Sequence, residues 1–365
     1  MLTVIILILA AIVTIGVILY MKYRTYTSYT VNSVIEMSNS EENTAYYPFG
    51  SGYLKCASDG VTYFNEERIV WYESYSMTQP VIDICGDYAA TASLGQRDVY
   101  LYDKSGFINS ISLAHDITDI EVSKSGMIAV GTNDGNFSYI EIKDQEGNEI
   151  LTDKKLFSSS GFLMDLSLSE DGTKLAAIFV TVDKGTLKSK VLFYNLAERE
   201  DGSDIIVGTF DQYESVLLTN VQFMDDGKVC VIGDVAMSIY SFEETPELIY
   251  ENLEQPWEIQ ALFFSGNYIG MVVEEQETES AYGIKVFDTS GNLALDVETD
   301  FSFGKADFAG ENVILYSTID CVMFSFSGIQ KMNMKFDSHI EVMKSLDGRN
   351  FIYGTNSDTQ FITVN

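Results

Sequence analysis

The chain has 365 residues, 46% of them hydrophobic and 13% aromatic, enough to bury a large core, which excludes a disordered polymer. Its 54 Asp plus Glu outweigh 22 Lys plus Arg, a formal charge of -32 that repels nucleic acid and excludes it as a partner. Cys56, Cys85, Cys230 and Cys321 are widely separated with no CxxC spacing, so they read as buried free thiols rather than as zinc ligands or a disulfide framework.

In chain order the first element is LTVIILILAAIVTIGVILYM, residues 2–21, which carries no charge. At the helical rise it measures about 30 Å, the thickness of a bilayer core, and it predicts a membrane-spanning helix. Met1 leads directly into the apolar run and Lys22, Tyr23 and Arg24 follow it, whereas a cleaved signal peptide starts basic and ends in small residues. The division is therefore an anchor with its basic flank over 1–25 and a second body over 26–365. Lys22 and Arg24 taken alone would keep that body in the cytoplasm.

Beyond the anchor a unit of roughly 40 residues recurs, which is the length of a four-stranded blade. One copy reads PVIDICG, YAATASL, DVYLYDKSG and FINSISLA; the next reads ITDIEVSKSG, MIAVGTNDG, FSYIEIKDQEG and NEILTDKKLF. Period-two alternation, β-branched and aromatic enrichment and Asp-Gly or Ser-Gly turns predict antiparallel meanders, and an array of them predicts an all-β propeller. The final unit ends at Asn365 without a fourth strand, while YTVNSVIEM at 29–37 has the alternation of a fourth strand and no unit of its own. Joining the two closes an eight-bladed ring. Expelling the weak N-terminal hairpin would leave seven blades.

The blade grammar resembles quinoprotein-like and WD-repeat-like propellers. Through TAYYPFGSGYLKCASDGVTYF, MTQPVIDICGDYAA and LMDLSLSEDGTKL the chain is similar to a poorly characterised family of single-pass, propeller-bearing membrane proteins of Gram-positive anaerobic bacteria. That resemblance implies an extracytoplasmic propeller on a cell-membrane anchor, against the local charge cue. Trp71 and Trp257 are the only tryptophans, so the repeated Trp docking pattern of quinoproteins is missing and no cofactor is expected.

Catalytic and metal motifs are absent. His115 and His339 each precede an innermost strand without a nucleophile elbow or a second His at ligand spacing. The Asp-Gly pairs belong to no calcium-loop series and read as turns. The expected function is a non-catalytic protein-interaction or scaffold module at the cell envelope. The alternative is an envelope ligand sensor or hydrolase with its site in the central funnel, which carboxylates gathered in that channel would favour. Strand order puts the fourth-to-first connections and the second-to-third turns on one face. The anchor enters a fourth strand from the other face, so His115, Asp116, Trp257 and His339, with Asp59 and Asp134, are the expected partner-binding residues. Trp257 is the aromatic anchor of that set.

Overall fold

The computed structural model describes all residues except 1–9, 11, 17–18, 21, 40–42, 198–204, 254–257 and 276–279. Alternation, turn glycines and aromatic strands resolve into eight separate four-stranded antiparallel sheets, which discards the seven-bladed alternative. Blade 1 runs Ala45–Phe49, Gly52–Ala57, Gly60–Phe64, Ile69–Ser74 from the axis outward, and blade 2 runs Pro80–Cys85, Tyr88–Ser93, Asp98–Asp103, Gly106–Ser112. Blade 3 begins at Asp116–Val122, blade 4 at Phe162–Leu168, blade 5 at Leu218–Phe223, blade 6 at Glu258–Ser265, blade 7 at Lys305–Phe308 and blade 8 at Val342–Ser345. A single helical turn, Phe157–Ser160, interrupts the passage from blade 3 to blade 4 and buries none of its residues.

Blade 8 takes its outer strand from the other end of the chain. Tyr29–Ile35 pairs antiparallel with Thr359–Val364, from Tyr29 opposite Val364 to Ile35 opposite Thr359. The closure read from 29–37 is therefore present, two residues shorter than expected at its C-terminal end. The pairing satisfies an edge that would otherwise offer unpaired amides and carbonyls to another chain.

The core is a set of slabs between neighbouring blades. Ala90, Val99 and Leu101 of blade 2 meet Ile117, Ile120 and Val130 of blade 3. Met323, Met332 and Met334 of blade 7 meet Met343, Phe351 and Tyr353 of blade 8. Each blade covers its two apolar faces with its neighbours, so stability propagates around the ring by nearest-neighbour contact. Tight second-to-third turns keep the blades in register. Gly60 in blade 1 has φ 143°, and a Cβ there would lie 2.1 Å from the Glu73 carbonyl oxygen, so no other residue fits.

Residues 10, 12–16, 19, 20, 22 and 23 are helical. Among the described residues no helix is long and apolar enough to cross a membrane, and much of the expected 2–21 span falls outside them.

Candidate functional site

The innermost strands of blades 2, 3 and 4 each carry Asp inside an apolar run, and the ring turns these carboxylates into inter-blade staples. Asp83 Oδ2 accepts the Val122 amide at 2.7 Å, Asp119 Oδ2 accepts the Leu166 amide at 3.0 Å, and Asp165 Oδ2 accepts the Val221 amide at 2.6 Å. Each bond thus runs from one blade to the inner strand of the next. Glu121 Oε2 accepts from the Leu168 amide at 3.1 Å and from the Ser167 hydroxyl at 3.3 Å, and that hydroxyl in turn accepts the Phe223 amide at 3.0 Å. The chain of bonds spans blades 2 to 5.

No described Lys, Arg or His forms an ion pair with these four carboxylates. Burial pushes the Asp83 carboxyl up to about 6, although the Val122 and Ile84 amides oppose the rise. Burial also raises Asp119, and raises Glu121 and Asp165 far more, with neighbouring carboxylates adding to the last two. Asp165 is raised by the neighbouring Asp119 charge as well as by burial. Below them, on the face of the first-to-second turns, a cavity of about 380 Å³ is lined by Asp83, Cys85, Glu121, Glu170, Lys174 and Asp225 among others. Lys174 Nζ donates to the Phe242 carbonyl at 2.9 Å. Across the axis, Lys344 pairs with Asp307 at 2.6 Å. Among the described residues no group of three or more His, Cys, Asp or Glu is arranged to hold a metal ion.

The opposite face, called distal here, carries the fourth-to-first connections. On blade 3 it brings two of the expected partner-binding residues together. His115 stacks on Tyr139 with ring centroids 4.4 Å apart, and the Tyr139 hydroxyl donates to Asp134 Oδ2 at 2.8 Å. Asp134 also accepts the Asn136 and Phe137 amides, at 2.9 and 2.8 Å. The Asn136 amide foremost, then that hydroxyl, hold its carboxyl down at about 2. Lys154 Nζ sits 3.8 Å from the Phe137 ring centroid. The Phe157 amide donates to the Asn136 carbonyl at 3.0 Å, and Phe157 meets Phe162 edge-on at 5.3 Å. Phe162 and Met164, at the start of the blade 4 inner strand, are 38% and 37% exposed.

The remaining expected residues stand apart. Asp116 pairs with Arg97 at 2.9 Å, both half-exposed, a contact worth little in water. Asp59 occupies the exposed second-to-third turn of blade 1, and His339 pairs with Glu341 at 2.9 Å beside blade 8. Trp257 lies outside the described residues. The inner-strand carboxylates escaped the sequence reading, yet a signal was present: VIDI, TDIEV and MDLSL each set an Asp beside apolar residues of an innermost strand, and TDIEV adds Glu121.

Ring and channel together define an eight-bladed β-propeller with an acidic, amide-stapled axis. Solved propellers share that architecture. Sqt1 of Saccharomyces cerevisiae superposes with a TM-score of 0.53 at 9% identity, over 94% of this chain and 99% of that one. Dipeptidyl peptidase 4 of Porphyromonas gingivalis gives 0.56 at 13% identity, over 87% of this chain and 56% of the peptidase. Raptor of Chaetomium thermophilum gives 0.51 at 10% identity, over 95% of this chain and 29% of that one. At such identities the likeness is one of fold. Among curated proteins none matches. Residues 22–364 match a family of unknown function, DUF5711, and the chain belongs to that family.

Proposed function

We propose that this protein is a non-catalytic interaction platform, anchored in the cell membrane by its N-terminal helix, that presents its distal face to a protein partner at the cell envelope. The observation that carries the reading is the pairing of Tyr29–Ile35 at the ring's edge. The chain enters that strand from the face of the third-to-fourth turns, which sets that face beside the helix and turns the patch of Phe157, Phe162 and Met164 outward. Large side chains half-exposed beside a rigid scaffold suit a partner's docking surface, because a few such groups dominate interface energetics. Cross-linked capture from native membranes tests it. Alanine at Phe162 and Met164 should reduce capture at least about tenfold with an unchanged melting temperature. Undiminished capture, with loss on altering Ser105 and Asp226 of the opposite face, would reject it. Protease added to wall-stripped cells should digest the propeller; protection until lysis would place it in the cytoplasm.

A second reading, a ligand sensor or hydrolase with its site in the funnel, draws support from the channel carboxylates. Each of them already spends an oxygen on a main-chain amide of the next blade, which suits a staple better than a general acid or base. Glu121→Gln separates the two: it should leave partner capture unchanged on the first reading and abolish ligand response or hydrolysis on the second.

A further inference from the structure

The segment joining helix to propeller is bound along its length. Lys331, on the outer strand of blade 7, is 8% exposed, and its Nζ donates to the carbonyls of Lys22 at 2.9 Å and Arg24 at 3.1 Å. These are carbonyls at the end of the helix, whose last turn closes with the Arg24 amide donating to Tyr20 at 2.8 Å. Such carbonyls have no partner within the helix, and a cation placed there also meets the negative end of the helix dipole. The next residues are held by the main chain. The Tyr26 amide donates to the Lys331 carbonyl at 2.7 Å, Tyr26 bridges Met332 in parallel, and the Thr27 amide donates to the Asn365 carbonyl at 3.0 Å. Tyr26 and Tyr29 then pack on the slab between blades 7 and 8, with Tyr29 stacked on Phe336 at 4.9 Å.

We infer that Lys331 is a clamp: it caps the C-terminal end of the N-terminal helix and fixes that helix to the rim of the ring, so that anchor and propeller move as one body. A flexible tether would let the propeller tumble above its attachment point and expose either face. A capped helix seated between two blades holds one face toward its attachment and the other away. The clamp itself is a contact within the chain, but its value in orienting the distal face rests on the anchored reading proposed above.

Limited trypsin digestion of the purified full-length chain in detergent micelles tests the clamp without reference to any partner. The bonds after Lys22 and Arg24 are trypsin sites whose carbonyls Lys331 holds, and Lys184 in the exposed hairpin tip of blade 4 is an internal control. Lys331→Met should speed cleavage after Arg24 by at least about tenfold relative to cleavage after Lys184, because local opening then no longer breaks two charge-assisted bonds. Lys331→Arg, which keeps cationic donors, should retain the protection. An unchanged ratio overturns the clamp, whether neither site speeds up or both do so together through general loosening. Normal capture with a failed clamp, or the reverse, tells the two proposals apart.

Discussion

Two stretches of the ring are held by different chemistry. From blade 2 to blade 5 the inner strands are stapled by Asp83, Asp119, Glu121 and Asp165, carboxyls in a crowded channel with no cationic partner among the described residues. From blade 7 through blade 8 to blade 1 the ring is closed by chain ends, aromatic rings, neutral polar groups and one inner-strand ion pair, Lys344 with Asp307 at 2.6 Å. There Asn39 is 1% exposed, and its Nδ2 donates to the carbonyls of Thr355 and Asp358, each at 2.9 Å, while its Oδ1 accepts from the Tyr46 hydroxyl. Tyr29, Phe336 and Tyr353 stack alongside. The first stretch gathers carboxyls that burial raises, whereas the one inner-strand carboxylate named in the second has a cationic partner, so pH should act on the two differently.

The largest effect is expected from breaking the closure. A chain starting at Thr44 lacks both the strand paired with Thr359–Val364 and Asn39, and should aggregate through the bared edge, whereas one starting at Thr25 should be monodisperse by size-exclusion chromatography. Equal stability of the two to heat and denaturant would remove the strand from the account. Next comes Asn39→Ala, which removes one buried partner each from the Tyr46 hydroxyl, still bonded to Thr359, and from the Thr355 and Asp358 carbonyls, and should cost about 1–3 kcal/mol in denaturant titrations at any pH between 5 and 8.

The staples should respond to pH with the opposite dependence. A carboxyl whose folded pKa is raised contributes stability that is fully present below its unfolded value near 4 and is lost as pH rises through its folded value, about 6 for Asp83. The melting temperature should therefore rise on acidification from pH 8 to pH 5. Below about 4 it should fall again, as Asp134 and other depressed carboxyls are protonated. Asp83→Asn keeps an oxygen for the Val122 amide and abolishes the charge. It should gain about 1–3 kcal/mol at pH 8 and progressively less toward pH 4; an equal change at both would show that Asp83 does not titrate as proposed. The smallest effect is expected at the exposed pair of Arg97 and Asp116, where Arg97→Ala should shift stability by under about 0.5 kcal/mol.

Much of this comparison is legible in the sequence. Asp-Gly and Ser-Gly punctuation marks the hairpins, and the unmatched 29–37 segment against a last unit short of one strand marks the closure. The staples were harder to read because a strand's alternation breaks at bulges. Pairing of the blade 3 inner strand slips between Ile117 and Asp119, which changes the direction that simple alternation assigns to the Asp side chain. Asp134 shows a different limit. Read as a partner contact, it gives its oxygens to its own turn and to Tyr139, and the exposed Phe162 and Met164 of the next blade resemble core residues in any one-dimensional pattern. Lys331 and the carbonyls it holds lie some 300 residues apart along the chain, and no local signal joins them.

The claim at the centre of the account is that recognition happens on the face turned away from the helix. A photo-activatable residue at Phe162, compared in native membranes with one at Lys104 of the opposite face, tests it most directly. The account predicts a discrete cross-linked partner from position 162 and none from position 104; the same partner from 104 alone would contradict it.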